Sequence, residues 1–208
     1  MQLANSAARY GAIPQAFHWL TVFCVAVGWL VGQFSDIFPK GQPRDLALVT
    51  HMTLGQMVVV LLIARLCWRI ANPPPPPEKT GFGRLLVVAS KGSHYALYAL
   101  LILAPVAGTL TQLRRGHPVP LFAVTSLPSP WPADRAAARA VLGVHKWLAN
   151  ALLILAGLHA AAALIHHYVW RDRTLMRMLP GLDRAAGSPN AAQQRLAPSD
   201  HASSQAPR

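Results

Sequence analysis

VLGVHKWLANALLILAGLHAAAALIHHYVW, residues Val141 to Trp170, decides the fold. Its only basic side chains are Lys146 and the four histidines His145, His159, His166 and His167. A helix needs about 20 residues, at 1.5 Å each, to cross a hydrocarbon core of roughly 30 Å. A lone strand in lipid would leave its backbone polar groups unpaired, so the run predicts a membrane helix. Three more runs upstream are long enough: Phe17 to Phe34, Ala47 to Ile70, and Leu85 to Leu113, the last expected to kink or loosen at Pro105. Trp19, Trp29, Trp68, Trp147 and Trp170 gather near the run ends, as an interfacial belt does. The fold class is therefore an all-α membrane protein, a bundle of four transmembrane helices.

Composition agrees. Of 208 residues, 53% are hydrophobic and 12% charged, against about 25% charged in soluble domains. The net charge of +12 is spread between apolar runs rather than gathered in a patch. That argues against a nucleic-acid binder and for a membrane protein with basic flanks. Eleven Lys and Arg fall in the N-terminus, second loop and C-terminal segment, and six in the first and third loops. This bias predicts cytoplasmic N- and C-termini in a multi-pass membrane protein. The first run is too long for a signal-peptide core and has no small-residue cleavage site after it, so it is expected to remain as a helix. Pro73 to Pro77 reads as a stiff extended connector. The domain is expected over residues 10–180, with 181–208 a disordered cytoplasmic tail. Cys24 and Cys67 lie inside apolar runs and cannot build a disulfide framework; no CxxCH is present for covalent haem attachment.

The histidines carry the chemistry. Ionisable groups in lipid are costly and mark a function. His145 and His159 are 14 residues apart, about four helical turns, so they project from one face roughly 21 Å apart along the axis. His51 stands as deep in the second run as His145 does in the fourth. His18 matches His159 from the opposite end. Depth alone thus pairs His51 with His145 on the outer side and His18 with His159 on the inner side.

Zinc would need more ligands, and no carboxylate or thiolate is placed to supply them. A porphyrin supplies four equatorial nitrogens and leaves two axial positions for neutral imidazoles, so two haem b groups are the expected cofactors. Arg65 lies 14 residues beyond His51, on the same stripe at the inner level, where it either pairs with a haem propionate or snorkels to the interface. Gly32 and Gly55 are expected on the haem face. His94 falls at the inner level as a rival axial ligand, a quinone contact or a hydrogen-bonded core residue. His166, about 10 Å nearer the cytoplasm than His159, is a candidate for a quinone headgroup or a proton path.

Several segments resemble the bacterial cytochrome b561 family: GLHAAAALIHHYVWRDRTLMRMLP (Gly157–Pro180) closely, and FHWL (Phe17–Leu20), HMTLGQ (His51–Gln56), SHYALYALLILAPVAG (Ser93–Gly108) and HKWLAN (His145–Asn150) in support. The resemblance spans residues 10 to 180. It implies a dihaem inner-membrane cytochrome with His18 and His159 as inner and His51 and His145 as outer ligands. It further implies electron transfer from a periplasmic one-electron donor, superoxide, to ubiquinone, in the manner of a superoxide:ubiquinone oxidoreductase of the respiratory membrane. Arg114, Arg115 and Lys146 would then lend positive charge near the outer haem. Two other functions stay open in the sequence: a cytochrome b anchor and electron adaptor of a larger dehydrogenase such as a hydrogenase, and a transporter relaying protons through its histidines.

Overall fold

Two of the helix starts in this computed structural model are set by polar signals that lie outside the apolar runs. Residues 2–6, 9–76 and 83–180 are described, without the side chains of 83–86. The expected tail and the end of the proline connector fall outside them. Helix α1 spans Ala12–Phe34, with Pro14 in its first turn, where a missing N–H costs nothing. A short 3-10 turn, Ser35–Ile37, leads into α2, Gln42–Ala71, which carries Pro43 and Asp45 in its first turn. Helix α3 is Gly83–Arg114. Helix α4, Arg135–Tyr168, opens on Asp134, whose side chain accepts the Ala136 and Ala137 N–H groups, both at 3.0 Å. α2 and α4 therefore start before their apolar runs on polar first turns or caps, whereas α1 starts early on Ala12 and Ile13.

Pro105 does not break α3, which continues through it as one helix. Its missing N–H leaves the Leu101 carbonyl without the usual donor. All four helices are long and apolar enough to cross a membrane. α1 packs mainly on α2 and α3 mainly on α4, with lighter contacts from α2 to α3 and from α1 to α4. Two helical hairpins thus lie side by side.

Their shared core is small: Cys24, Val58, Leu61, Leu62, Leu101 and Leu152. Large apolar side chains such as Phe23, Ile63, Val106, Ile154 and Leu158 point outward. In water such a surface would aggregate; in lipid it is the expected exterior.

A feature not foreseen from the sequence connects α3 to α4. Strands β1 (Val119–Leu121) and β2 (Thr125–Leu127) pair antiparallel, with Pro120 opposite Ser126. The turn holds Phe122 and Ala123 at φ of 50° and 59°, a left-handed backbone that side chains other than glycine enter at a cost. Gln56 of α2 holds it there: its Nε2 donates to the Pro120 carbonyl at 2.6 Å, and its Oε1 accepts the Phe122 N–H at 2.8 Å.

The chain divides into units Met1–Met178 and Leu179–Arg208, and of the second only Leu179 and Pro180 are described.

Candidate cofactor site

Two groups of imidazoles lie along the bundle. Nearer the end that carries the α3–α4 connection, His51 of α2 and His145 of α4 face each other, ring centroids 5.8 Å apart. His51 Nδ1 lies 2.7 Å from the Gly28 carbonyl of α1, and His145 Nδ1 lies 2.8 Å from the Ala104 carbonyl of α3. A carbonyl oxygen only accepts, so each ring donates Nδ1–H and keeps the lone pair on Nε2 for a ligand bond. One helical turn beyond each carbonyl stands a glycine. A Cβ on Gly32 would fall 2.7 Å from His51 Cε1, and one on Gly108 would fall 3.1 Å from His145 Cε1. The same construction, carbonyl and glycine together orienting an imidazole from the next helix, occurs in both hairpins. Gly55 makes only ordinary contact, with Pro105 Cβ 3.9 Å from its would-be Cβ.

Toward the other end stand His18 of α1, His94 of α3 and His159 of α4, with Arg65 of α2. His94 and His159 have ring centroids 5.1 Å apart. His94 Nδ1 lies 2.6 Å from the Ser90 carbonyl, which again frees Nε2. His18 lies within electrostatic reach of both, yet its Nδ1 faces Arg65 Nη1 at 3.4 Å. Arginine only donates, so in this contact His18 carries its proton on Nε2. The depth-based pairing set His18 opposite His159; the structure gathers all three imidazoles and brings the rings of His94 and His159 into contact. Arg65 also lies over the Tyr98 ring, 5.9 Å from its centroid.

A cavity at this end is lined by Tyr10, Arg65, Trp68, Arg69, Asn72 and His94, among others. The Trp68 indole N–H beside it is buried and, among the described residues, has no hydrogen-bond partner; a ligand acceptor would satisfy it.

His166 lies apart from these groups. Its Nδ1 meets the Asp172 carboxylate, and Trp170 packs edge-on against the ring at 4.3 Å. Arg171, at φ 54°, reverses the chain here. Asp172 Oδ1 accepts the Thr174 N–H at 2.8 Å. Burial pushes the Asp172 carboxyl up, but the hydrogen bonds from His166 and Thr174 outweigh it and hold the group below the ordinary carboxylate range. The segment then crosses to α1, where Gln15 Nε2 donates to the Arg177 carbonyl at 3.2 Å and Trp19 Nε1 to the Met178 carbonyl at 2.8 Å. Gln15, only 3% exposed, was not singled out from the sequence. A lone glutamine near a helix start carries no pattern that would reveal its long-range partner.

The donor set decides what the site can hold. Among the described residues no cluster of three or more His, Cys, Asp or Glu is placed for a bare metal ion. A porphyrin iron asks for only two axial donors. His51 and His145, each with Nδ1 fixed on a backbone carbonyl and Nε2 free, are residues that could hold such a group. Opposed, pre-oriented imidazoles between two hairpins of an apolar bundle define a membrane cytochrome of the b type.

Comparison with known proteins is concordant. The model of the prokaryotic cytochrome b561 family matches residues 9–181. The chain is 32% identical over 185 residues to cytochrome b561 homolog 2 of Escherichia coli, covering 86% of this chain and 95% of that protein. It is 29% identical over 172 residues to a Yersinia pestis protein named probable superoxide oxidase CybB, covering 83% and 96%. It is 25% identical over 175 residues to cytochrome b562 of Cereibacter sphaeroides, covering 82% and 94%. The chain belongs to the prokaryotic cytochrome b561 family. It is a haem b-binding, multi-pass electron-transport protein of the bacterial inner membrane.

Proposed function

We propose that this cytochrome holds two haem b groups in series and carries electrons from superoxide on the periplasmic side to ubiquinone. The arrangement of His51 and His145 is the observation that carries the reading: both rings are tautomerically fixed, opposed, and backed by glycines. We assign His18 and His159 as axial ligands of the second haem. For His18 to ligate, its proton must move to Nδ1, and Arg65 must then turn from the ring, freeing its guanidinium for a propionate. His94, with Nε2 free beside His159, is the rival. When bound, haem supplies a one-electron iron couple whose potential the axial imidazoles and the surrounding apolar side chains tune.

The chain's own residues do the rest. Arg115 and Lys146 are exposed, and Arg114 lies over Trp131 at 4.6 Å. Their charge would raise the local concentration of a small anion at that end. At the other end, Arg65 and Trp68 offer donors to a quinone carbonyl. Each superoxide loses one electron and leaves as O2; a quinone gains two electrons and two protons and leaves as quinol. The kinship with a relative named as a superoxide oxidase supports this donor.

Stopped-flow mixing of the detergent-purified holoprotein with superoxide, then with a short-chain ubiquinone, tests the reading. We expect the haem bands to reduce on the first mixing and reoxidise on the second. Bands that ignore superoxide would remove the donor, and a stoichiometric soluble dehydrogenase in the preparation would favour the adaptor role instead. H18Q should lose one haem while H94Q keeps two; the reverse outcome would transfer the ligand role to His94.

A further inference from the structure

A concavity at the α3–α4 end is lined by Arg115, Arg135 and Arg139, with Ala138 as the remaining lining residue. Arg115 follows the last residue of α3, while Arg135 and Arg139 are one turn apart at the start of α4. Ala138 is only 4% exposed, so the small side chain forms a solid floor. Among the described residues none of the three guanidiniums has a hydrogen-bond or ion-pair partner. The nearest acid in sequence, Asp134, spends its carboxylate on the N–H groups of Ala136 and Ala137. The positive end of the α4 dipole adds to the field. Three gathered cations without a counter-charge repel one another until an anion enters.

From this cluster we infer a binding site for a phosphate group, with the phosphodiester of an anionic phospholipid as its natural occupant. Guanidinium forks match the paired oxygens of phosphate, which a halide cannot offer. Depth favours a lipid source, because Arg115 and Arg135 adjoin the ends of the apolar spans Val87–Arg114 and Arg135–Tyr168. That is the level at which headgroups lie. A choline headgroup would bring its own cation against the arginines, whereas a glycerol headgroup would not. The site shares Arg115 with the charge proposed to draw in superoxide, but it does not depend on the identity of the electron donor or acceptor.

The test is the thermal melting of the full-length holoprotein in detergent, titrated with short-chain phosphatidylglycerol, phosphatidylcholine or inorganic phosphate at matched ionic strength. Phosphatidylglycerol should raise the midpoint by about 2–4 °C, and phosphatidylcholine by less than half of that. R135Q/R139Q should abolish the rise while leaving the starting midpoint and haem content in place. K40Q, which removes a charge away from the site, should retain most of it. An equal rise with inorganic phosphate, lost in the same double variant, would keep the phosphate site and make its source soluble. A rise that persists in R135Q/R139Q, or no rise with either phosphate compound, would overturn the site.

Discussion

At the scale of single residues, two glycines back the rings of His51 and His145, and they differ in the room they leave. Alanine at Gly32 would put a methyl group 2.7 Å from His51 Cε1, displacing the ring from the Gly28 carbonyl. Alanine at Gly108 would meet His145 at 3.1 Å, which a small ring shift relieves. At Gly55 the nearest atom is 3.9 Å away, so alanine there gains helix propensity of roughly 0.5–1 kcal/mol with no clash. We therefore expect a graded series in purified protein: G32A loses the haem held by His51 and His145 and costs about 1–3 kcal/mol in stability, G108A keeps it with a shifted potential, and G55A is neutral or stabilising. Haem absorbance per chain and redox titration read all three. Equal behaviour of G32A and G55A would refute the orienting role of Gly32.

Elements outside the four spans hold the two ends in order. The β1–β2 hairpin depends on Gln56, which satisfies one carbonyl and one N–H at its strained turn. Q56L would leave both unpaired, and we expect a cost of about 1–3 kcal/mol, seen as faster amide exchange across Val119–Leu127 with the helices little changed. At the other end, the Asp172 carboxylate ties the segment after α4 to His166 and Thr174. Because its folded pKa lies below the ordinary value of 3.8, it contributes stability fully above pH 3.8, lost as pH falls through the folded value. Trp19, bonded to the Met178 carbonyl, should report that loosening by fluorescence below about pH 4. In D172N the acid-dependent step should disappear. A step unchanged in D172N would assign it to another group.

For the whole molecule, the four helices were legible because a bilayer demands one long apolar run per crossing. The histidine levels were legible because 14 residues restore the helical face. What the sequence hid was tertiary. The Gly28/Gly32 and Ala104/Gly108 spacings matter only once His51 and His145 arrive from neighbouring helices, and small residues four apart are common in membrane helices anyway. The hairpin was hidden because Phe122 and Ala123 defy turn chemistry and rely on a glutamine 66 residues away in sequence. The depth count set His18, His94 and His159 at one level and named His94 a rival, but could not show that its ring would lie against that of His159. In the function we propose, two pairs of imidazoles each grip one porphyrin. Quantitative pyridine haemochrome analysis against chain concentration, on wild type and H51Q/H145Q, measures it most directly. We expect two haems b per wild-type chain and one in the double variant; a single haem in the wild type, or two in the variant, would contradict it.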